Sequence, residues 1–178
     1  IINFVVNNIS ICRFVNQKNI IELVNIAKNS PEFLFTIIGD GPEFKSVYEY
    51  VINNKINNVI LKGQINRVFP YLYKSDLYLS TSLYEGLPIS ILEAMSIGLP
   101  IIASNVVGNS DAIVHGKSGY LYNLGDIKEA KKYLDYLKIN KEKRFQMGKG
   151  AFLRQRKYFA LDKMVNEYSN LYKKIFFN

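Results

Sequence analysis

Phe33-Leu34-Phe35-Thr36-Ile37-Ile38 is a continuous apolar run of strand length, closed by the turn Gly39-Asp40-Gly41-Pro42. A strand with one wet face alternates polar and apolar residues. A run without alternation suits a parallel strand covered on both faces. Parallel neighbours cannot be joined by hairpins and need crossovers, usually helices. The rest of the chain supplies them. Residues 19–28 follow a helical period that puts Ile20, Leu23, Val24 and Ala27 on one face, and Ser30-Pro31 ends it. Further strands are predicted at residues 9–14, 58–63, 76–81, 100–103 and 120–122. Further helices are predicted at 42–54, 66–74, 126–140, 141–157 and 160–176. This alternation defines an α/β fold, a parallel sheet with helices on both faces and right-handed crossovers. No repeat, linker or low-complexity tract interrupts residues 1–178, so a single domain is expected.

Ligands of such sheets bind outside the carboxyl ends of the strands. Arg13, Gly39-Asp40-Gly41, Gly63-Gln64, Ser82 to Gly86, and Ser104-Asn105 all fall at those ends. Separate segments therefore converge on one crevice.

The richest of them is the stretch Glu85 to Met95. Glu85 and Glu93 flank seven uncharged residues, and Glu93 is the only charged side chain between Gly86 and Ser110. Such an acid, buried alone, costs roughly several kcal/mol. It must reach a surface, hold a fixed partner, or face a cavity that takes a polar ligand. Gly86 permits an unusual backbone conformation, and Pro88 suits the first position of a helix. A helix N-terminus seats anions. An anion cradle with two acceptors fits a phosphorylated sugar. Glu85 and Glu93 also admit an acid/base pairing, but their spacing along the turn and helix favours two cavity-facing acceptors. Arg13 and Lys18 follow the first strand and are expected near Pro88, where two cations and free N–H groups would hold a diphosphate. A plain surface Arg and Lys is the alternative.

Other features exclude more than they assign. Gly39-Asp40-Gly41 is a G-x-G without the third glycine of the dinucleotide fingerprint, and no Walker A sequence occurs. His115, the only histidine, sits among turn residues, where a solvated side chain is expected. No Cys/His cluster suggests zinc. A lone Cys12 excludes an internal disulfide and fits a reducing, cytoplasmic setting. The Asn8-Ile9-Ser10 glycosylation pattern is read as chance. No run of about 18 apolar residues predicts a transmembrane helix, and no signal peptide is visible. The start at Ile1 suggests a fragment or a processed chain.

The net charge of +8 is uneven: residues 1–127 hold nine Lys/Arg against ten Asp/Glu, and residues 128–178 hold fourteen against five. Two readings stand for that basic end. It is a solvated Lys-rich helical surface, or it rests peripherally on an anionic membrane. Nucleic acid is not an expected partner, because no nucleic-acid motif and no interleaved basic–aromatic pattern is visible along the chain.

Glu85-x7-Glu93, continuing through Glu93-Ala94-Met95-x2-Gly98-x-Pro100-Ile101-Ile102-Ala103-Ser104, resembles the core motif of family 4 retaining glycosyltransferases of GT-B fold. Arg13-Phe14 with Lys18, Ile38 to Pro42, Val59 to Gly63, Ser75 to Leu79 with Ser82, Gly116 to Gly119, and Tyr168-x3-Tyr172 match that family's order and spacing. The resemblance implies the Rossmann-like C-terminal half of GT-B, which binds a nucleotide-sugar donor, UDP-sugar favoured, without a metal or other cofactor. It implies that Arg13 and Lys18 hold the diphosphate. Glu85 and the backbone at Gly86, Leu87 and Ile89 would contact the sugar and distal phosphate, with Glu85 the catalytic position. Glu93 would accept from the ribose, the loop at Gln64 and Ile65 would lie beside the base, and Gly39 and Gly41 would border the donor.

Two substitutions depart from the family pattern: Cys12 stands where glycine is common and narrows the approach, and Pro88 removes one N–H. The N-terminal acceptor domain is expected to be missing, so the chain should bind donor and transfer sugar poorly alone. The expected whole activity is retaining transfer to a polysaccharide or lipid-linked acceptor. The alternative is a non-catalytic scaffold module that kept the fold.

Overall fold

The computed structural model describes residues 6–176. Among them, strands β1 (Val6–Ile11), β2 (Phe33–Ile38), β3 (Val59–Leu61), β4 (Leu77–Ser80), β5 (Ile101–Ser104) and β6 (Gly119–Tyr122) form one sheet. Its order is β3-β2-β1-β4-β5-β6, and every adjacent pair is parallel. Among the described residues the α-helices are α1 (Ile20–Lys28), α2 (Phe44–Asn53), α3 (Phe69–Leu72), α4 (Ile89–Ser96), α5 (Asn109–Ala112), α6 (Ile127–Ile139), α7 (Lys141–Tyr158) and α8 (Leu161–Phe176), and Asn16–Lys18 form a 3-10 turn.

Period-two alternation divides the strands between two cores. Phe33, Phe35 and Ile37 of β2, Leu77 and Leu79 of β4, and Ile102 of β5 pack with Leu23 of α1, Val47 of α2 and Leu134 of α6. Ile38, Tyr78, Ile101 and Ala103 point the other way, against Leu72 of α3, Ile91 and Met95 of α4, and Ala151 of α7. A sheet covered on both faces explains why β2 reads as an unbroken apolar run.

Several boundaries differ from expectation. β1 already includes Val6 to Asn8, because Asn7 and Asn8 pair with Leu34 and Phe35 despite their polar side chains. It ends at Ile11 rather than residue 14; the Tyr78 hydroxyl donates to the Ile11 carbonyl and accepts from its N–H. α2 begins at Phe44, beyond Pro42. Residues 109–112, expected as loop, form the single turn α5. Pro88 is the residue capping α4 rather than its first helical residue.

Candidate donor-binding site

Three loops meet at the carboxyl edge of the sheet, and main-chain bonds tie them together. Cys12 N–H donates to Ile38 O (3.0 Å), Phe14 N–H to Asp40 O (2.9 Å), Glu43 N–H to Phe14 O (3.0 Å) and Gly39 N–H to Gly63 O (2.8 Å). The approach is so close that a Cβ on Gly39 would sit 1.8 Å from Cys12 O, with φ at +142°. Glycine there is required by packing. Above this floor opens a cleft of about 380 Å³ lined by Ile11, Cys12, Arg13, Gly39, Gln64 and Ile65, among others. Arg13 is exposed in it. Gly41 does not line the cleft; its glycine brings the loop against Phe14 O.

On the other side of Cys12 the turn after β1 meets the loop after β4. Leu83 N–H donates to Gln17 O (2.8 Å), the Gln17 amide to Tyr84 O (2.9 Å), and the Thr81 hydroxyl reaches Lys18 O (2.9 Å) and Asn19 O (3.0 Å). Lys18 is thereby aimed at Glu85, and its Nζ lies 2.5 Å from Glu85 Oε1. The Ser82 hydroxyl donates to the same oxygen at 2.6 Å. The Glu85 side chain is only 8% exposed, so it needs that compensation. Its Oε2 has no partner among the described residues.

Cys12 borders both the cleft and the hollow beside Lys18 and Glu85. Burial pushes its thiol up to about 12, and Glu85 adds to that while Lys18 opposes it. Cys12 is therefore a neutral wall rather than a nucleophile.

The start of α4 carries the rest. Gly86, Leu87 and Ile89 are exposed. Gly86 has an ordinary φ, contrary to expectation, and a Cβ built on it meets nothing within 4 Å. Neither backbone strain nor contact with another described residue demands glycine here. The N–H groups of Ser90 and Ile91 have no acceptor among the described residues. Glu93 is half-buried, no side chain among the described residues bonds or ion-pairs with its carboxylate, and burial raises its pKa. Of the expected residues, Arg13, Gly39, Gln64 and Ile65 share the cleft, and Lys18 with Glu85 forms the neighbouring ion pair. Gln17 and Thr81, which aim Lys18, were missed; their partners lie more than sixty residues away in sequence. His115 is no site residue: its Nδ1 accepts from Leu121 N–H, and its ring meets Tyr120 and Tyr133.

This is a Rossmann-like α/β protein whose candidate site lies at the strand ends, with the half-fold of GT-B glycosyltransferases. The family model described as Glycosyl transferases group 1 matches residues 8–154, and the chain belongs to that family. It is 34% identical over 137 residues to N-acetyl-alpha-D-glucosaminyl L-malate synthase of Bacillus anthracis, covering 76% of this chain and 36% of that protein. It is 39% identical over 100 residues to UDP-Gal:alpha-D-GlcNAc-diphosphoundecaprenol alpha-1,3-galactosyltransferase of Escherichia coli, covering 54% of this chain and 26% of that protein. Among solved structures it is similar to a S. aureus TarM mutant in complex with Fondaparinux, alpha-GlcNAc-glycerol and UDP. That match has a TM-score of 0.87 at 26% identity, covering 94% of this chain and 35% of TarM. The chain thus spans about a third of the length of these proteins or less.

Proposed function

We propose that this chain is the donor-binding domain of a retaining glycosyltransferase. It takes a UDP-sugar, whose glycosyl group goes to a polysaccharide or lipid-linked acceptor held by the rest of the enzyme. The observation that carries the reading is Glu93, a half-buried carboxylate without a side-chain partner among the described residues, inside the helix whose Ser90 and Ile91 N–H groups find no acceptor there, while the Ile89 N–H is bonded to Leu87 O. A ligand that brings hydroxyls and an anion together answers both needs. Ribose hydroxyls donate to Glu93, and the diphosphate sits at the N-terminus of α4. Arg13 and the remaining donors of Lys18 neutralise it. Glu85 offers Oε2 to the transferred sugar, and Lys18 and Ser82 hold it ionised and oriented. Open space beside Gly86 admits the sugar. The base lies over Gln64 and Ile65.

A relative whose name specifies a UDP donor and an α linkage supports the nucleotide and the retained configuration. Retention then proceeds by attack on the leaving-group face, with no protein nucleophile. Calorimetry with UDP and GDP tests the reading. UDP is expected to bind, and Glu93→Ala to lose about 1.5–3 kcal/mol, the scale of hydrogen bonds to a charged group. Unchanged affinity in the variant would remove Glu93 from the site; no binding by either nucleotide would leave the scaffold alternative.

A further inference from the structure

Helix α7 buries Met147, Gly148 and Ala151 against the sheet and α4. Its outward line is unusual. Lys141, Phe145, Lys149, Phe152 and Arg156 follow one another at spacings of four, four, three and four residues. At 3.6 residues per turn they fall within an arc of about 80°, centred roughly 110° around the helix from the buried Met147, Gly148 and Ala151, along roughly 22 Å of helix. All five are exposed, Phe145 at 70% and Phe152 at 40%. None of the three cations forms a salt bridge among the described residues. The neighbouring acid, Glu142, accepts from the Gln146 amide. The basic–aromatic interleaving that linear reading missed is present here, hidden by the helical spacing.

We infer that this ridge of α7 is a docking surface for an anionic lipid bilayer. Unpaired cations at the crest complement the negative leaflet, and their attraction falls off within a Debye length. Two phenylalanines on the same crest enter the headgroup boundary, where apolar rings are favoured and water exposure ends. A single nucleic-acid strand is the weaker fit: its binders use a groove that tracks the backbone, and the crest is convex. α8 is a different surface. Its apolar line of Leu161, Val165, Tyr168 and Tyr172 has acids as well as lysines beside it, and it forms no part of this proposal.

The inference is independent of the donor site. Sedimentation of the full chain with vesicles of phosphatidylcholine alone, and of phosphatidylcholine mixed with phosphatidylglycerol, tests it. Binding is expected only to the mixed vesicles and weakens as salt rises. The combined Lys141→Gln, Lys149→Gln and Arg156→Gln variant should bind about a hundredfold more weakly, each surface cation contributing a factor of about five. Phe145→Ala with Phe152→Ala should also bind more weakly. Both variants should retain the wild-type far-ultraviolet circular dichroism and UDP affinity, so loss of lipid binding cannot be confused with unfolding or failure of the donor site. Equal binding to both vesicle types, none to either, or insensitivity to the phenylalanines overturns the proposal. So does tighter binding to a single-stranded oligonucleotide that displaces the vesicles.

Discussion

At the scale of single residues, the site separates two carboxylates by environment. Glu85 is nearly buried and held by Lys18 and Ser82; Glu93 is half-buried and held by nothing among the described residues. Removing a partner from a compensated acid is destabilising, because the charge stays behind in a poor solvent. Glu93 already carries that penalty. Its folded pKa lies above the ordinary 4.5 because burial disfavours the charged form. The folded chain therefore binds this proton more tightly than the unfolded chain, so the Glu93 penalty is absent below 4.5 and sets in as pH rises through the raised value. Ligand-free Glu93→Gln should be more stable than wild type at about pH 7 and equal to it near pH 4. Urea unfolding at both values checks this, and a pH-independent difference would refute it.

At the scale of elements, two glycines of the same crevice answer to different constraints. Gly39 is enforced by the Cys12 carbonyl pressed against it. Gly39→Ala should cost about 2 kcal/mol or more in unfolding free energy, the range for strained backbone positions. Gly86 is enforced by no contact among the described residues. Gly86→Ala should leave stability within about 0.5 kcal/mol and weaken UDP-sugar binding more than UDP binding, read by parallel denaturation and calorimetry. A large stability loss would show that the structure, rather than the ligand, demands that glycine.

The same contrast marks what could be read beforehand. α1 and α6 to α8 were legible, since a 3.6-residue period is a local signal. β1 was half-legible: Asn7 and Asn8 look exposed, yet Asn8 is buried at the sheet centre, and only pairing with β2 reveals it. α5 is one turn of polar residues, too short for periodicity. Glu85, Glu93, Arg13 and Lys18 could be named as candidates, but the grip of Lys18 on Glu85 spans 67 positions. That contact exists only once β1 lies beside β4.

At the scale of the whole molecule, stability resides in the sheet and the helices that cover it. α8 contributes no buried residue. Truncation after Ala160 should shift the unfolding free energy by no more than about 0.5 kcal/mol, the range for surface changes, and a loss of several times that would mean α8 is anchored. The main-chain floor of the cleft has a further effect. Its shape is set by carbonyls and N–H groups running from Cys12 to Gly63, which, apart from Gly39 and the exclusion of proline at the donors, do not depend on the side chain. Arg13, Gln64 and Ile65 stand on that floor and can be exchanged without reshaping it. A family built this way can diverge in the ligand it prefers by swapping a few projecting side chains, and its foldability is left untouched.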